Sequence, residues 1–128
     1  GLQALQVAAH SLGEAIVAAP LLPQSGVSHA VTTGTAVRVE DRGLSRFAVA
    51  GTPADCVRVG LHRLAPEARW VLSGINHGGN LGADVYYSGT VAAVREGVLH
   101  GWPGIALSHY HRRGLEFDWP RATLWVER

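Results

Sequence analysis

Both asparagines of this 128-residue chain fall in one glycine-dense segment, Gly74-Ile75-Asn76-His77-Gly78-Gly79-Asn80-Leu81-Gly82, which runs on to Ser88-Gly89-Thr90. Five glycines in the sixteen residues from Gly74 to Gly89 would let a ligand approach the backbone closely. Ser88-Gly89-Thr90 reads as a helix start, where unpaired N–H groups and the helix dipole favour a phosphate or another anion. Ser88 or Thr90 would also serve as an ordinary cap, and the two roles coexist. A plainer reading stands beside this one, in which Asn and Gly only supply the positive φ angles of a surface turn. Context favours the chemical reading: strand, glycine loop and helix start point at one place.

A second candidate is Ser25, in the loop Pro23-Gln24-Ser25-Gly26-Val27-Ser28-His29 that follows a short apolar run. By itself it reads as a turn residue more readily than as a ligand. If the strands before the two loops are neighbours, Ser25 and Asn76 come together, yet two neutral oxygens are too few for a hard divalent cation. Asp84 is the only acidic residue of the Asn-Gly loop and reads as solvated or Arg-paired. The seven histidines show no zinc-ligand spacing beyond His109/His111, which fall in a polar stretch. His29 and His77 lie in the two candidate loops, where a structural role stands beside substrate holding or proton transfer. Cys56 reads as core, not nucleophile, and no Gly-x-Ser-x-Gly elbow is present.

The elements that must carry these loops follow from spacing. Leu2, Leu5, Ala8, Ala9 and Leu12 predict a helix closed by a left-handed cap at Gly13. Glu14 to Ala19, ended by Pro20, predicts a strand buried on both faces. The stretches 30–40 and 45–50 predict an antiparallel hairpin turning at Asp41-Arg42-Gly43. Thr52 as N-cap with Pro53 at the first helical position predicts a helix to about Leu64. Trp70 to Ser73 and Gly104 to Ser108 predict two more short strands, with a helix from Ser88 to about Leu99 between them and another starting near Pro120. The fold class expected is α/β, a Rossmann-like three-layer core with a mixed, mostly parallel sheet. In such folds, ligands gather at the carboxyl edge of the strands.

Composition narrows the chemistry. A net charge of +1 excludes a strongly basic binder of duplex nucleic acid. All eleven basic residues are Arg, so a phosphate-loop lysine and a Schiff-base lysine are both excluded. One cysteine excludes an internal disulfide and a four-thiolate zinc site, which fits a reducing cytoplasm. The apolar runs are too short to span a membrane. A single soluble domain over 1–128 is expected. The chain opens on Gly1 within an amphipathic helix, as though cut at its front, and no targeting peptide is read there.

Three stretches resemble the SurE family of acid-phosphatase-like 5'/3'-nucleotidases. They are Ala19-Pro20 with Gln24-Ser25-Gly26-Val27-Ser28, then Gly51-Thr52-Pro53-Ala54-Asp55-Cys56-Val57, and above all Ser73-Gly74-Ile75-Asn76 through Gly79-Asn80-Leu81-Gly82 to Tyr87-Ser88-Gly89-Thr90-Val91-Ala92-Ala93. The resemblance runs from Gly1 to about Ser108. It implies metal-dependent hydrolysis of nucleoside 5'/3'-monophosphates, with magnesium or manganese, in a cytoplasmic homo-oligomer, a dimer or tetramer. It implies further that Ser25 and Asn76 hold the metal and that Ser88, Gly89 and Thr90, with Asn80 nearby, hold phosphate.

The departures from the family pattern are as informative. The family opens on a strand ending in Asn-Asp-Asp-Gly, whose aspartates are metal ligands, and this chain starts after that point. The catalytic residues are therefore not assignable here. The family also continues into a longer C-terminal part used in oligomer contacts. A chain shortened at both ends would lack the middle of its parallel sheet, bind metal weakly and turn over slowly. A non-catalytic nucleotide- or phosphate-binding module is the alternative.

Overall fold

The computed structural model describes residues 1–110 and 114–128; His111 of the pair noted above lies outside them. The first helix, α1 (Leu2–Leu12), forms where the apolar spacing predicts and buries Ala4, Leu5 and Ala8. Its stop differs from expectation. Gly13 adopts φ 151° and ψ −163°, a glycine-only region distinct from the left-handed helical one, while its N–H still reaches Ala9 O.

Among the described residues, five strands form two sheets. The first contains β1 (Val17–Pro20), β2 (Val39–Asp41) and β3 (Arg46–Val49), in the order β1-β3-β2. β1 runs parallel to β3, with Val17 opposite Arg46, and β2 runs antiparallel to β3. The second sheet pairs β4 (Val71–His77) in parallel with β5 (Gly104–His109). Two of the three pairings are parallel, as expected, but β1 and β4 are not hydrogen-bonded neighbours. Consequently β1 is only half-buried and not enclosed on both faces. The stretch 30–38 is not a strand. Thr32 gives its N–H and hydroxyl to Asp55, 23 residues on, so this segment serves a helix start and not a ladder.

The helices complete the layers. α2 (Pro53–Val59) opens on a full capping box: Thr52 Oγ1 accepts from Asp55 N, and the Asp55 carboxylate accepts from Thr52 N. It runs into a wider π turn over Gly60–Leu64. A short α3 (Asp84–Tyr87) precedes α4 (Gly89–Leu99), and α5 (Trp119–Val126) closes the chain behind an Asp118 cap. Leu72 and Ile75 of β4 pack with Ala4, Leu5 and Ala122, so α1 and α5 cover one face. Val71, the neighbour of Leu72, lies against Gly97 of α4. Adjacent strand residues face opposite ways, so α4 covers the other face. That is three layers, and α4 thereby delivers its amino end to the carboxyl ends of the strands.

Candidate functional site

β4 is longer than its sequence suggests. Gly74 to His77 continue the strand past Ser73, and Asn76 and His77 pair with Ser108 and His109 after a register irregularity. A Cβ on Gly74 would collide with the Leu107 carbonyl, so glycine is needed where β4 and β5 approach most closely. This extension carries Asn76 to the strand's carboxyl end. Its amide Nδ2 donates to Gly78 O at 2.9 Å, and its Oδ1 has no protein partner among the described residues. Asn80 donates through Nδ2 to Ser108 Oγ at 2.6 Å, which ties the glycine loop to β5.

At the helix start, Ser88 is buried and its Oγ accepts from Val91 N at 3.2 Å. That cap serves Val91 alone. The N–H groups of Gly89 and Thr90, in the first turn, have no carbonyl within the helix to bond. A side chain on Gly89 would meet Pro53 Cγ at 2.9 Å and Val27 Cγ2 at 3.4 Å, so the residue also lets α2 and the Ser25 loop close around the helix start.

One cavity of about 550 Å³ gathers these groups, with Ser25, Asn76, Asn80, Ser88, Gly89 and Thr90 all on its walls. The structure therefore brings together the six residues that the resemblance assigns to metal and phosphate, although β1 and β4 do not pair. The space between them is the cavity itself, bounded by Ala18, Ala19 and Pro20 on one side and Leu72 to His77 on the other. Gln24, Asp84, Tyr87, His77 and Cys56 also line it. His77 stacks on Phe117 at 3.7 Å between ring centroids. Burial and the nearby Asp55 charge push the Cys56 thiol up to about 12, so no thiolate is available there. The fate of His29 was not legible from its loop position: its ring is bonded to Glu96, 67 residues on.

The donor set is suited to an anion on one side and only partly to a cation on the other. Ser25 and Asn76 offer neutral oxygens, and no group of three His, Cys, Asp or Glu side chains is placed to hold a metal among the described residues. Hard divalent cations take six or more oxygens, usually including carboxylates, so these atoms fit part of such a shell and not the whole. No helix among the described residues is long and apolar enough to cross a membrane.

Comparison with known proteins agrees with this geometry. A family model described as "Survival protein SurE" matches residues 1–128. The 5'-nucleotidase SurE of Myxococcus xanthus is 49% identical over 119 residues, covering 91% of this chain and 45% of its own. The 5'-nucleotidase SurE of Gemmatimonas aurantiaca is 53% identical over 110 residues, 84% of this chain and 43% of its own. The crystal structure of the SurE protein from Aquifex aeolicus superposes with a TM-score of 0.90 at 38% identity, over 99% of this chain and 52% of that one. The chain thus spans about half the length of the curated relatives it matches. With the family model matched from end to end and the fold shared, the chain belongs to the SurE family.

Proposed function

We propose that this chain carries the phosphate-holding half of a metal-dependent phosphomonoesterase acting on nucleoside 5'- or 3'-monophosphates. The observation that carries the reading is the convergence of Ser25, Asn76, Asn80, Ser88, Gly89 and Thr90 on one cavity. Its volume suits a mononucleotide, since small-molecule sites run from about 300 to 1,000 Å³. The N–H groups of Gly89 and Thr90 and the Thr90 hydroxyl would take the phosphoryl oxygens, aided by the helix dipole. Donors fixed in advance stabilise the charge that develops on phosphoryl transfer without reorganising. The relatives' names support the reaction class.

Ser25 and Asn76 would hold magnesium or manganese together with carboxylates not found among these residues. When bound, such an ion polarises the phosphoryl oxygens and orients water. The family resemblance points to a strand ending in Asn-Asp-Asp-Gly, and the facing edges of β1 and β4 are where it would pair. Those two open edges also favour association, in line with a homo-oligomer, and the single cysteine fits a cytoplasmic setting. The test is release of inorganic phosphate from a panel of nucleoside monophosphates, with and without manganese. It compares this chain with a version lengthened before Gly1 by that strand. Manganese-dependent release from the longer version, and little from this chain, is expected. Silence in both would remove the enzyme reading, and robust turnover by the 128 residues alone would overturn the half-site.

A further inference from the structure

Glu96 is one of the few buried charged groups among the described residues, 6% exposed on the apolar side of α4. A buried carboxylate persists only when its oxygens are bonded. Here Oε2 accepts from His29 Nε2 at 2.6 Å, and Oε1 accepts from His100 Nε2 at 3.0 Å with Arg58 Nε at 3.7 Å. Because a carboxylate only accepts, both histidines present N–H at Nε2, and His100 Nδ1 meets His62 Nε2 at 3.1 Å. The network therefore joins α4, α2, the π turn and the loop after β1.

The position of His29 gives this network a task. It lies four residues after Ser25, at the end of the loop that forms one wall of the cavity. Glu96 lies seven residues after Gly89, two turns along the same face of the helix whose amino end forms an adjoining wall. Between these points the loop touches the helix start twice more: Val27 sits against Gly89, and Ser28 N donates to Tyr87 O at 3.1 Å. We propose that the His29–Glu96 pair is a positioning device that sets the width of the phosphate cavity by strapping the Ser25 loop to α4. The pair touches no substrate and acts through the loop. The proposal rests on the phosphate reading above and adds residues that reading does not use.

The test compares His29→Ala and His29→Gln with the unsubstituted chain, because glutamine keeps an N–H donor near the position of Nε2. His29 is only partly buried, and exchange in α1 reports whether its loss disturbs the core. Inorganic phosphate affinity is measured by titration calorimetry, and amide hydrogen exchange is read over residues 24–29 with α1 as reference. His29→Ala should weaken phosphate binding about tenfold, the scale of one lost hydrogen bond to a charged group. It should also speed exchange in 24–29 alone, and His29→Gln should recover most of both. Unchanged affinity and exchange in His29→Ala, or exchange raised equally in α1, would overturn the strap. If the unsubstituted chain binds no phosphate, the cavity reading falls on its own. Exchange then decides the strap: selective acceleration in 24–29 upholds it, and none removes it.

Discussion

Val27 Cγ2 and Pro53 Cγ press on Gly89 from two sides, so closely that an added Cβ would meet them at 3.4 Å and 2.9 Å. The helix start proposed to hold the anion is therefore also the point at which the Ser25 loop and α2 converge. Gly89→Ala should destabilise the fold by about 1–3 kcal/mol, the usual cost of overpacking a tight contact. Thermal unfolding measures this, and phosphate affinity should fall with it. A variant as stable as the parent would show that this junction is loose.

Thr90→Val keeps the shape of the side chain and removes its hydroxyl. Loss of one hydrogen bond to a charged phosphate is expected to weaken inorganic phosphate or nucleotide binding by about 1.5–3 kcal/mol, roughly tenfold or more. Asn76→Ala should instead weaken manganese binding and leave phosphate affinity nearly unchanged, as read by titration of each ligand separately. If neither substitution moves either affinity, the site lies elsewhere.

Asp55 contributes acid sensitivity to the fold. Burial alone would raise its pKa, but hydrogen bonds from Thr32 and Thr52 outweigh that and hold the carboxyl below its ordinary value of 3.8. A depressed folded-state pKa gives stability that is present above the unfolded value and lost as pH falls through the folded one. Denaturant midpoints should therefore drop below about pH 4. Asp55→Asn should cost about 1–2 kcal/mol at neutral pH through weakened hydrogen bonds from Thr32 and Thr52, and should flatten the acid slope.

Cys56 gives a probe of closure. With its thiol pushed up to about 12, it should resist iodoacetamide at pH 8 in the folded chain and react once denaturant unfolds it. Rapid labelling under native conditions would mean that the cavity wall opens readily.

Local chemistry made much of this legible from sequence. Thr52-Pro53 and Ser88-Gly89 each start a helix with signals within three residues, and the structure has both caps there. That the six candidate residues would share one cavity was legible for the same reason, because each sits beside a glycine loop or a helix start. Long-range partners were not. Val and Thr over 30–38 mimic a strand, but Thr32 is claimed by Asp55. Gly74 to His77 look like a loop, yet β5 supplies a partner for Asn76 and His77 from some thirty residues later. The Glu96 strap had only a faint signal, a lone acid on a helix with alanines and valines around it. Nothing local could name His29 as its partner.

The most direct test of the cavity's role is to follow backbone amide chemical shifts while adenosine monophosphate is titrated into the chain. The account requires the largest shifts at Gly89 and Thr90, with smaller ones at Ser25, Asn76 and Asn80, and their loss in Thr90→Val. Binding that shifts amides elsewhere and leaves Gly89 and Thr90 unmoved would contradict it.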